Sequence, residues 1–91
     1  MSVIVTYDVS GKQTEVKAAM LANGYQVHFK DKGKTYNLPF TTLFHLTRTP
    51  EQAVQELEAV CREQRVELLH CLAVKIWRDT FAGTVGEAYR E

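Results

Sequence analysis

Asp8 is the residue in this chain best placed to do chemistry. It closes a β-branched run, Ser2-Val3-Ile4-Val5-Thr6-Tyr7-Asp8, and is the only acidic residue among the first fourteen. A carboxylate at a strand tip can hold a divalent cation such as Mg²⁺, with water completing the shell. The same residue type also serves an Asx turn or cap where a strand hands over to a helix. One carboxylate per chain makes a sparse metal site, and a dimer that paired Asp8 with its symmetry mate would double the ligands.

Three histidines come next, His28, His45 and His70, with no HxH, CxxC or HExxH spacing to mark a metal centre. His70 and Cys71 are neighbours in a strand pattern and so face opposite sides, which suits packing or an interface better than a shared ion. Lys30, Lys32 and Lys34 form the basic cluster of the chain, with Tyr25, Phe29 and Tyr36 nearby. That combination is a candidate nucleic-acid-binding hairpin, cations for phosphate and rings for bases. A solvated hairpin tip has the same composition. Thr41 and Thr42 need no more than β propensity to explain them. Gly83-Thr84-Val85-Gly86 has no helical pattern after it and is not a phosphate loop. Cys61 has no helix N-terminus or cationic pocket evident from the sequence to lower its pKa.

The elements that would position these residues are legible from periodicity. Residues 2–8 alternate as a strand. Ser10 with Gln13 fits a capping box opening a helix through Val16, Ala19 and Met20, and Asn23-Gly24 stops it. Tyr25, Val27 and Phe29 alternate as a second strand. Asp31-Lys32-Gly33-Lys34 is a turn, Pro39 interrupts the returning ribbon, and residues 41–48 read as a third strand. Thr49-Pro50-Glu51-Gln52 carries N-cap, first-turn proline and box glutamine in one tetrapeptide. Ala53, Val54, Leu57, Val60 and Cys61 follow as one apolar stripe opposite Glu51, Gln55, Glu58 and Arg62. A last strand spans about 66–77.

The order β-α-β-β-α-β predicts an α+β, ferredoxin-like domain over residues 1–82, a four-stranded antiparallel sheet with two helices on one face, and a tail over 83–91. In the last strand Leu68, Leu72, Val74 and Ile76 fall on one side and Leu69, Cys71, Ala73 and Trp77 on the other, so both faces are apolar. Two helices cover one face, and a second subunit is the economical cover for the other.

Ninety-one residues suffice for one domain, and one this small buries only about two-thirds of its extended-chain surface. Net charge is zero, but residues 1–50 hold six basic against three acidic side chains and residues 51–91 five against eight. The positive excess sits on the hairpin lysines. No apolar run is long enough to span a bilayer and no secretory leader is evident. Two cysteines flanked by apolar residues read as free thiols of a reducing, cytoplasmic compartment.

The Val3-Ile4-Val5-Thr6-Tyr7-Asp8 strand, the helix ending Asn23-Gly24-Tyr25 and the element order resemble the small CRISPR-associated adaptation proteins and their relatives, among them virulence-associated protein D. The resemblance implies a ferredoxin-like fold, a homodimer formed through the open sheet face, and metal-dependent nuclease activity with Asp8 as catalytic and metal-binding residue. The first helix carries Lys12 and Lys17 where that family has arginines. Three functions follow as expectations: a Mg²⁺-dependent nuclease of the endoribonuclease type, a non-catalytic nucleic-acid- or protein-binding module, and a small-ligand regulatory domain.

Overall fold

The computed structural model describes residues 2–77. The elements are β1 (Ser2–Val9), α1 (Gln13–Ala22), β2 (His28–Asp31), β3 (Lys34–Asn37), β4 (Thr42–His45), α2 (Pro50–Gln64) and β5 (Leu68–Ile76). The expected domain end at 82, the tail at 83–91 and the glycines of that tail lie outside the described residues.

β1 is the central strand. It runs antiparallel to β4 on one side and to β5 on the other. Its alternation decides which side chains meet the helices. Val3, Val5, Tyr7 and Val9 are buried, while Thr6 and Asp8 are exposed on the opposite face. Val16 and Met20 of α1 join them in one core with Leu43 of β4 and Ala53, Leu57, Val60 and Cys61 of α2.

α2 forms where its cap says it should. Thr49 Oγ1 accepts from the Gln52 N–H at 3.1 Å, and Gln52 Oε1 accepts from the Thr49 N–H at 2.9 Å. α1 does not use the expected box. Its N-cap is Lys12, in the left-handed region at φ 50°, with no side-chain cap. Ser10 pairs with β5 instead: its Oγ accepts from the Glu67 N–H at 2.8 Å, and its own N–H donates to the Glu67 carbonyl at 3.0 Å. Strand pairing thus runs past the end of β1 and takes the hydroxyl that would have capped the helix.

The four-stranded sheet expected from the element order divides in two. The main sheet has three strands, β4-β1-β5, and β2-β3 is a separate hairpin. One bridge joins them: Gln26 and Phe44 exchange two backbone bonds, of 2.7 and 2.9 Å. The hairpin closes on a tight turn. Lys32 and Gly33 both have positive φ, 50° and 78°, as in the tight turn whose twist suits a hairpin. Beyond Gln26, β2 pairs with β3 alone among the described residues. The Thr42 N–H then bonds the Pro39 carbonyl at 2.9 Å, turning the chain into β4.

β5 holds a second departure. Asp8 lies opposite His70, but Val9 lies opposite Leu68, so Leu69 is an inserted residue. The insertion turns Leu68 to the core side, away from Leu72, Val74 and Ile76, with which simple alternation had grouped it.

Two substitutions probe this frame. Leu57→Ala opens a cavity at a fully buried position and should cost about 2–5 kcal/mol in denaturant unfolding. Gly24 has φ +92°, and a Cβ there would sit 3.0 Å from His45 Nε2. Gly24→Ala should destabilise by about 1–3 kcal/mol through backbone strain alone, and by more if His45 has to move; an unchanged thermal midpoint would contradict the account.

Candidate functional site

Among the described residues, no helix covers one face of the three-stranded sheet. Its rows follow from register, since residues directly opposite in an antiparallel pair point the same way. Ile4 lies between Phe44 and Val74, Thr6 between Thr42 and Leu72, and Asp8 lies opposite His70. Phe44 is covered by Phe29, whose ring centre lies 5.5 Å away and which stacks on Tyr36 at 5.2 Å. Elsewhere on and beside this face Leu72 and Val74 expose 62% and 52% of their surface, and Leu46 and Trp77 are similarly open. These are large apolar side chains, and their concentration on and beside one face is the most unusual feature of the surface.

Asp8 and His70 close this face at the C-terminal end of β1. Both are exposed, and neither side chain makes a hydrogen bond or ion pair with another described residue. Thr6, Tyr7, Asp8, His70, Cys71 and Leu72 line an open depression. The sequence offered no reason to put His70 beside Asp8, because they lie 62 positions apart and only the register of β1 against β5 brings them opposite each other. Among the described residues no group of three or more His, Cys, Asp or Glu side chains could hold a metal ion.

His45 is engaged elsewhere. It is buried on the helix-covered face, its Nδ1 accepts from the Thr47 N–H at 3.1 Å, and its Nε2 lies 3.3 Å from the Asn23 carbonyl. That pairing places the proton on Nε2. Its ring meets Tyr25 edge-on at 4.7 Å. The Tyr25 hydroxyl donates to Glu56 Oε1 at 2.7 Å, and Arg48 Nε donates to the same oxygen at 2.9 Å. Burial, then the Glu56 bond, raises the Tyr25 pKa far above the ordinary phenol value. This network ties the α1–β2 turn to α2 and is structural. His28 sits at the start of the hairpin, opposite Asn37.

Lys30, Lys32 and Lys34 are exposed around the hairpin turn, as a phosphate contact requires. The rings expected to stack on bases are already in use, Tyr25 and Phe29 being buried. Nor does one chain bring the lysines to Asp8. Lys30 lines a groove with Ser2, Ile76 and Trp77, and Ser2 and Asp8 are opposite ends of β1, roughly 20 Å apart at strand rise. Lys17 is buried with its Nζ 4.4 Å from the Phe40 ring centre, and burial lowers its pKa. It is not available to a phosphate as a surface arginine would be. Cys61 and Cys71 are free thiols. Burial raises both pKa values, with Glu58 and Cys61 adding to the effect at Cys71, which leaves both weak nucleophiles. No helix of the described residues is long and apolar enough to cross a membrane.

No family model matches the chain, and no curated protein or solved structure matches it.

The exposure of Asp8 sets a control for any functional test. Asp8→Asn should change unfolding free energy by less than about 0.5 kcal/mol, as for surface sites away from structural features. A larger loss in urea unfolding would mean that the carboxylate holds the fold.

Proposed function

We propose that the chain is a divergent ferredoxin-like protein that works as a homodimer and cleaves phosphodiester bonds with a divalent metal at Asp8, as an endoribonuclease-like enzyme. The observation that carries this reading is Asp8 itself: an uncommitted carboxylate near the end of the central strand, on the sheet face that neither α1 nor α2 covers. The Gln26–Phe44 bridge supports the fold part of the reading. Taken as the remnant of a fourth strand, it extends the main sheet to β2-β4-β1-β5 with every neighbour antiparallel. The exposed Leu72 and Val74 support the dimer, because a second copy of the same face is a self-complementary cover. The resemblance of the first strand and the element order to the CRISPR-associated adaptation proteins and virulence-associated protein D points the same way.

An exposed carboxylate with no competing partner fits a hydrated Mg²⁺ ion, which keeps several waters and takes few protein ligands. When bound, such an ion supplies a nucleophilic water and neutralises charge on the phosphate. Asp8 would hold it, and the neighbouring hydroxyl of Thr6 shares its face.

A second reading rests on a different observation, the three exposed lysines of the β2–β3 hairpin. They would bind nucleic acid without cleavage, through phosphate contacts that weaken as salt rises.

The test uses labelled RNA and DNA oligonucleotides with Mg²⁺, beside sedimentation of the protein. The expected result is cleavage by the wild type, none by Asp8→Asn, and a species of twice the 10.4 kDa chain mass. Salt-sensitive binding without cleavage, lost on changing Lys30, Lys32 and Lys34 together and retained in Asp8→Asn, would select the second reading. A monomer at micromolar concentration would remove the dimer.

A further inference from the structure

We infer that Asp8 and His70 together form a two-ligand site that selects Mn²⁺ over Mg²⁺. The inference deepens the metal-at-Asp8 reading above and rests on the same carboxylate, but it adds a ligand that no feature of the sequence pointed to.

The geometry comes first. Asp8 and His70 are direct partners across the β1–β5 ladder, on the same face. Side chains so placed have Cβ atoms about 4.5–5.5 Å apart. Metal–oxygen and metal–nitrogen bonds are about 2.0–2.2 Å, so one ion fits between a carboxylate oxygen and an imidazole nitrogen with no backbone change.

Availability is the second point. The three histidines of the chain differ in what their rings are doing. Both nitrogens of His45 are occupied by backbone groups. His70 is exposed and holds no described partner, and the same is true of Asp8. Neither group must give up a protein contact to bind an ion.

Third, the strand is irregular at this place. The bulge that inserts Leu69 begins at the Asp8–His70 pair. Bulges of this kind re-aim side chains and recur beside functional sites. The open depression lined by Thr6, Tyr7, Asp8, His70, Cys71 and Leu72 leaves room for waters or phosphate oxygens in the remaining coordination positions.

The ligand chemistry selects the ion. A lone carboxylate with water suits Mg²⁺. Adding an imidazole does little for Mg²⁺, which prefers oxygen, and strengthens binding of first-row transition ions. Mn²⁺ accepts both donors and retains a mainly oxygen shell, as a site with two protein ligands and several waters requires.

Mn²⁺ is the probe, added as the chloride to the full chain carrying ring-labelled histidine. Its paramagnetism should broaden the His70 ring signals at concentrations that leave those of His28 and His45 sharp. By calorimetric titration, wild type should bind Mn²⁺ at least about tenfold more tightly than Mg²⁺. His70→Ala should erase that preference while changing Mg²⁺ affinity by less than about twofold, and Asp8→Asn should weaken both ions. Thermal melts of the two variants confirm that they fold. Equal affinity for the two ions, or Mn²⁺ binding unaffected by His70→Ala, would overturn the inference. The outcomes separate it from the cleavage reading: Mg²⁺-dependent cleavage that needs Asp8 but not His70, with no Mn²⁺ preference, ends this inference and keeps that one. Selective Mn²⁺ binding at the pair with no cleavage of any oligonucleotide does the reverse.

Discussion

The structure depends on the two-residue period of β1. With a strand on each side, β1 cannot shift by one residue without sending Val3, Val5, Tyr7 and Val9 out of the core and Ile4, Thr6 and Asp8 into it. That single constraint orients everything else. It gives both helices their packing surface, and it sends Asp8 to the face they do not cover. The buried core and the candidate site are thus two sides of one alternation.

The helix-covered side is secured by polar contacts at its margin. Gly24 brings the end of α1 close to His45, whose ring bonds the Asn23 carbonyl and the Thr47 N–H and meets Tyr25 edge-on. Glu56 then collects both the Tyr25 hydroxyl and Arg48. Three segments, the end of α1, the end of β4 and α2, are held by groups that each satisfy the next. This explains why a histidine and a glutamate with catalytic-looking neighbours are structural here, while the plainer Asp8 and His70 are left open.

The bare side is governed by what the hairpin does not do. A continuous β2 along β4 would have widened the sheet. Instead β2 pairs along its length with β3 across the positive-φ turn at Lys32-Gly33, and the hairpin meets the open face where Phe29 covers Phe44 and Lys30 lines a groove with Ile76 and Trp77. Leu72, Val74 and their apolar neighbours stay in water, a free-energy cost that burial against another surface would relieve. The same division keeps the lysines at one end of β1 and the Asp8–His70 pair at the other.

The sequence by itself determined the features whose causes are local. The second helix, its Thr49 box and its Leu57 stripe need only neighbouring residues, and so do the first strand with Asp8 at its tip, the Asn23-Gly24 stop and the Lys32-Gly33 turn. Tertiary structure decided wherever two distant segments compete for the same group. Ser10 is a helix cap by pattern but a strand partner in fact, because Glu67 arrives beside it. Lys17 is a cation in the helix pattern and is buried in fact, with its Nζ over the ring of Phe40, 23 positions away. His70 reaches Asp8 through the register of a pairing between distant parts of the chain, and Leu68 changes sides through the one residue inserted just beyond that pair. Periodicity assigns a side chain to a face within its own strand. It carries no information on register between strands some sixty residues apart, and register is what assembles the site.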